Sequence, residues 1–99
     1  MFVIREVLNC KPGKVRPMIE KFKVLSKAAQ EIAPTPFRIF TDVSGGPFWT
    51  LVAEIEVERI EDFFAMEQKL MSNPGVAKAM SDYHDLVLSG RREILRVEV

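Results

Sequence analysis

Ten residues, FWTLVAEIEV from Phe48 to Val57, alternate so regularly that they set the frame for the whole chain. Trp49, Leu51, Ala53, Ile55 and Val57 form an apolar row, while Phe48, Thr50, Val52, Glu54 and Glu56 form a mixed one. A period of two with one apolar row predicts a strand with one face on a core. Ser44-Gly45-Gly46, just upstream, reads as a turn, because glycine takes positive φ without steric cost. Phe37 to Val43 reads as a strand on the other side of that turn, so the two form a hairpin. A sheet with one apolar face needs a second layer to cover it.

The flanking segments supply that layer. Val15, Met18, Ile19, Phe22, Leu25, Ala29 and Ile32 recur at spacings of three and four, which is helical. Ala33-Pro34-Thr35-Pro36 is expected to stop this helix, since proline cannot continue it. After the hairpin, Ile60, Phe63, Phe64, Glu67, Leu70 and Met71 mark one helical piece. Ser72-Asn73-Pro74-Gly75 interrupts it, with Asn73 suited to an N-cap and Pro74 to the first helical position. Val76, Ala79, Met80, Tyr83 and Val87 mark a second piece, with Gly90 expected as its C-terminal cap. Phe2 to Asn9 and Glu93 to Val99 read as the first and last strands.

Strand, helix, strand, strand, helix, strand is the split β-α-β order of ferredoxin-like α+β folds. Right-handed crossovers place both helices on one face of a four-stranded antiparallel sheet, in the strand order fourth, first, third, second. At 99 residues the chain is expected to form one domain. The helix-free face is expected to show Phe48, Thr50 and Val52 from the third strand, with Phe2, Ile4 and Leu8 from the first. An apolar patch of that kind predicts a homodimer.

Charge and cysteine content narrow the function. Fourteen basic residues balance fourteen acidic ones, so the basic excess of a nucleic-acid binder is missing. No apolar run has the length of a membrane span, and no membrane partner is expected. The opening MFVIREVLNC carries arginine and glutamate within its apolar run, unlike a secretory leader, so a cytoplasmic location is the expectation. One cysteine and one histidine leave no common zinc pattern, and no metal site is expected.

The loop NCKPGKVRPM, Asn9 to Met18, raises the question of a phosphate site. Such a loop needs several glycines so that successive N–H groups converge on the anion. Only Gly13 is present, and turn chemistry accounts for each residue. A strand, then KPGK, then an amphipathic helix, followed by GGPFWTLVAEIEVERIEDFFAMEQKLMSNPGV, resembles the small dimeric α/β-barrel proteins, including the NIPSNAP-like and antibiotic-biosynthesis monooxygenase-like families. The resemblance implies pairing of two sheets through their helix-free faces into an eight-stranded barrel, often with a cavity. It implies no single activity: such proteins include cofactor-independent monooxygenases, haem-degrading enzymes, isomerising enzymes and proteins with no known activity. Haem-degrading members use an asparagine on the first strand, with a tryptophan and a histidine around the second helical region. Asn9 is a match for the first, but Met71 and Ser81 stand where the other two fall, so neither haem nor another cofactor is expected.

The candidate ligand-binding residues are Glu6, Phe48, Glu54, Tyr83 and His84. Glu6 and Glu54 sit on central strands among apolar residues expected to face the barrel interior, where a carboxylate needs a partner. Arg5, Arg38, Arg92 and Arg96 are the candidate partners in the sheet. Two readings stay open: an ion-pair network across a dimer interface, or polar groups facing a ligand in an apolar cavity. His84 is the only histidine, a general-base candidate flanked by Asp82 and Asp85, and such a residue is more commonly solvated. Three functional classes follow: a dimer binding a small apolar or aromatic molecule, a cofactor-independent oxygenase or isomerase, and an interaction module with a filled barrel.

Overall fold

The structure, a computed structural model, describes residues 1–33, 35 and 37–99. Strand β1 (Phe2–Cys10) leads into helix α1 (Val15–Ile32). Strands β2 (Phe37–Thr41) and β3 (Thr50–Val57) form the hairpin. Helices α2 (Ile60–Met71) and α3 (Pro74–Met80) follow, then a single 3₁₀ turn (Tyr83–Asp85) and strand β4 (Val87–Arg96). The sheet order is β2-β3-β1-β4, all antiparallel, as the crossover rule required. No helix is long and apolar enough to cross a membrane.

Local chemistry explains the joints. Pro12 and Gly13 are the central residues of a turn closed by the Lys14 N–H on the Lys11 carbonyl, and Gly13 sits at φ 77°. That conformation favours glycine at the third turn position and proline at the second. Helix α1 ends at Ile32, and the extended Ala33 gives its N–H to the Ala29 carbonyl. Pro34 and Pro36, to which the helix stop was ascribed, lie outside the described residues. Asn73 caps α3 as expected: its Oδ1 accepts from the N–H groups of Gly75 at 2.8 Å and Val76 at 3.2 Å.

The core lies between the sheet and the helices. Ile4, Ile55, Val57, Ala29, Phe63, Met66, Leu70 and Val76 form one cluster. Cys10, Met18, Phe22, Leu51, Ala53 and Leu86 form the other. Full burial of a side chain such as Ile4, Met18 or Leu51 is worth roughly 1.5–3 kcal/mol. Lys21 ties α1 to α3, giving its Nζ protons to the Ala79 carbonyl at 2.7 Å and to Asp82.

Register corrects the expected facing of β1. Ile4 lies opposite Ile55 and Glu6 opposite Ala53, so the row Phe2, Ile4, Glu6, Leu8 faces the helices. Val3, Arg5, Val7 and Asn9 occupy the helix-free face, with Thr50, Val52, Glu54 and Glu56 of β3. Arg38 and Phe40 of β2 join them. Both rows of β1 carry apolar residues and one charge each, so alternation alone leaves its phase undecided.

Strand boundaries also move: β2 ends at Thr41 rather than Val43, and β4 at Arg96 rather than Val99. β4 begins at Val87, not Glu93, because Val87 and residues 89–92 pair with β1, with a register shift at Leu88. Gly90 is therefore inside a strand rather than a helix cap, opposite Leu8. A Cβ there would lie 2.9 Å from Leu8 Cδ2, which is why a residue without one fits. β3 begins at Thr50, so Phe48 lies in the hairpin connection and is 82% exposed. Trp49 takes a positive φ of 63°, uncommon for a bulky side chain, and breaks the phase of the alternation just before the strand.

Candidate functional site

The five candidates fall into four places. Glu6 and Tyr83 come together on the helix side, at a cleft of about 260 Å³ between the sheet and the helices. Its walls are apolar, from Leu8, Phe22, Leu25, Phe37, Phe63, Met66, Leu70 and Met80. α1 and α2 supply most of these from their buried stripes, and β1 and β2 supply the floor.

One wall is charged. Arg92 of β4 stands opposite Glu6 across the strand pair and donates from Nε to Glu6 Oε1. Its Nη2 donates to Glu67 Oε2 of α2, and its guanidinium lies over the Phe63 ring at 5.0 Å. One arginine thus serves two carboxylates from separate elements. Burial pushes the Glu6 carboxyl up from its ordinary value; Arg92 opposes this, and the nearby Glu67 charge adds to it. An apolar cleft with a few converging polar groups is the usual form of a small-molecule site. Tyr83 borders the same space from the 3₁₀ turn.

Glu54 lies elsewhere, on the helix-free face. Arg5 Nε and Arg38 Nη2 each reach it at 2.8 Å, on Oε2 and Oε1 respectively. The hydrogen bonds from Arg5 and Arg38 hold its carboxyl below the usual range against a smaller opposing effect of burial. This is an ion-pair arrangement within one chain, with Arg5 and Arg38 as the partners. The face around it is a shallow concavity of about 650 Å³, walled by the hairpin connection and floored by Val7 and Val52. Phe48 borders neither space; it flanks a separate groove with Trp49 and Ile19. His84 lies in the 3₁₀ turn with its ring 4.1 Å from the Tyr83 ring and is exposed.

Cys10 is buried, and that burial pushes its thiol up, away from the thiolate a nucleophile needs. Among the described residues no three His, Cys, Asp or Glu side chains gather as a metal site. Glu67 was missed as a site residue. Its place in the α2 stripe reads as a polar residue at a helix edge, and its partner is 25 positions away in β4. Arg92 was among the expected sheet partners, but only the register joins it to Glu6.

A four-stranded antiparallel sheet with its helices on one face is the ferredoxin-like α+β architecture. Among solved structures, an uncharacterised NIPSNAP-like domain protein from Burkholderia xenovorans superposes with a TM-score of 0.80 at 18% identity, over 97% of this chain and 84% of that one. A NIPSNAP family protein from Agrobacterium tumefaciens gives 0.80 at 15% identity, over 98% and 86% of the two chains. A protein from Nitrosomonas europaea described as "Putative antibiotic biosynthesis monooxygenase" gives 0.78 at 12% identity over the full length of both. These likenesses establish the fold. No family model matches the chain, and no curated protein matches it.

Proposed function

We propose that this protein is a homodimer that binds a small, largely apolar or aromatic molecule in the cleft between its sheet and its helices. The observation that carries the reading is the cleft itself: about 260 Å³ of apolar space closed on one side by Glu6, Arg92, Glu67 and Tyr83. Keeping half-buried charges beside apolar walls has a desolvation cost, and a ligand with a polar end gives that cost a use.

The dimer reading rests on the other face. Val7 and Val52 line it, with Phe40 and Leu95 each 40% or more exposed. The surface is more polar than the sequence suggested, since Phe2, Ile4 and Leu8 face the helices. Most of its charges are paired within the chain: Glu54 with Arg5 and Arg38, and Arg91 with Glu93. Glu56, on the same face, is exposed and has no ion-pair partner among the described residues. Sedimentation velocity at micromolar concentration is expected to give about 23 kDa, twice the 11.3 kDa chain. A concentration-independent monomer contradicts the pairing.

A titration of ¹⁵N-labelled protein with indole tests the cleft. Shifts are expected at the amides of Glu6, Phe63, Met66 and Tyr83. Shifts confined to Val7, Phe40 and Val52 place binding on the helix-free face and overturn this assignment. A second reading, proton abstraction by Glu6 in a cofactor-independent oxygenase or isomerase, is favoured by one observation. Glu6 is a carboxyl raised by burial beside an apolar cleft, the setting in which carboxylates serve as bases. Turnover lost in Glu6→Gln, with ligand affinity kept, supports it; an unchanged rate removes it.

A further inference from the structure

The cleft has an electrostatic sign, and that sign selects among apolar ligands. This step rests on the reading of the cleft as a ligand site. Two carboxylates, Glu6 and Glu67, share the single guanidinium of Arg92. With all three charged, the array carries one uncompensated negative charge. Arg92 directs Nε to Glu6 and both terminal nitrogens to Glu67, with Nη1 at 3.5 Å and Nη2 closer. Three of its five N–H groups are thus taken by the two carboxylates. Glu6 Oε2 accepts no hydrogen bond among the described residues, while Oε1 takes the Arg92 bond. Glu6 Oε2 is thus an open acceptor on this wall, beside an array whose net charge is negative. Tyr83 adds an aromatic ring at the same border, and ring faces attract cations.

We infer that the molecule taken by this cleft is an aromatic or apolar compound ending in a protonated amine, its hydrocarbon body against Phe63 and Met66 and its ammonium at Glu6. The ammonium donates to Glu6 Oε2 and brings the array to neutrality. A carboxylate of the same shape adds a second uncompensated negative charge beside Glu6 and Glu67, where low local polarity strengthens the repulsion.

Three matched probes test this: 2-phenylethylamine, 2-phenylethanol and 3-phenylpropionate. They share a phenyl ring on a short chain and differ in the charge at the end. Dissociation constants come from amide shifts at Glu6, Phe63 and Tyr83 at neutral pH and fixed salt. The amine is expected to bind about tenfold tighter than the alcohol, a difference of about 1.4 kcal/mol, and the carboxylate more weakly than either. In Glu67→Gln the array becomes neutral, and the advantage of the amine is expected to shrink to within about threefold. Glu67 is partly exposed on α2, so this variant is expected to fold. An alcohol that binds as tightly as the amine overturns the inference and leaves the cleft reading standing. So does a carboxylate that binds best, or an amine preference unchanged in Glu67→Gln. No shift for any of the three at millimolar concentration overturns both.

Discussion

Replacing Glu54 by glutamine isolates the ion-pair network on the helix-free face. The carboxylate accepts from Arg5 and Arg38 at 2.8 Å each, and its side chain is 8% exposed. Its two arginine partners have side chains that are 42% and 64% exposed. In the single chain the substitution strands neither cation in a dry interior; where a second copy covers this face, the loss moves to the upper end of the range below. Glutamine keeps one acceptor oxygen and points an amide N–H group at the other arginine. Hydrogen bonds to charged groups contribute about 1.5–3 kcal/mol when buried and less when solvent reaches them, so the loss is expected at about 1–2 kcal/mol. For a domain of this length that is a fall in Tm of about 5–10 °C. The pH dependence follows from the direction of the Glu54 shift. Its folded pKa lies below the unfolded value, so its contribution is present above the unfolded pKa and is lost as pH falls through the folded one. Thermal melts of wild type and Glu54→Gln at equal protein concentration are therefore expected to differ at neutral pH and converge below the carboxylate range. A gap that persists undiminished in acid, or no gap at neutral pH, refutes the reasoning.

Other perturbations have equally definite outcomes. Asn73→Ala removes the side-chain acceptor of two N–H groups and is expected to cost about 1 kcal/mol in chemical denaturation, with Asn73→Asp close to wild type. Gly90→Val places branched carbons against Leu8 and is expected to cost about 1–3 kcal/mol, whereas Gly90→Ala meets only the movable end of Leu8 and costs less. Cys10, buried and with its thiol pushed up, is expected to resist a thiol reagent in the native state and to react fully in denaturant. Equal rates in both conditions contradict its place in the core.

The order of elements was legible because each has its own period, and handedness then left one arrangement of four strands. The joint at Asn73 was legible too, since an N-cap residue followed by proline is a local signal. What failed was phase. β1 has apolar residues in both rows, and only its pairing with β3 decides that Ile4 faces the helices and Val7 does not. The alternation of β3 runs on through Trp49 and Phe48, but the left-handed backbone at Trp49 ends the strand's phase. In β4, glycine and adjacent arginines looked like a helix end, yet pairing with β1 extends the strand back to Val87. The site inherits these failures. Glu6 was expected beside Glu54, on the face opposite the one it occupies, and Glu67 stood in the helical stripe of α2 with nothing in the sequence to join it to Arg92. Contacts between residues 25 and 86 positions apart, as in the Glu67–Arg92 and Glu6–Arg92 pairs, are set by register and helix placement together.

The decisive measurement is a crystal structure of the protein grown with 2-phenylethylamine. The phenyl ring is expected between Phe63 and Met66 under the helices, with its nitrogen within hydrogen-bonding distance of Glu6 Oε2. The ring seated instead on the helix-free face over Val7 and Val52, or a cleft closed by its own side chains at saturating amine, would contradict it.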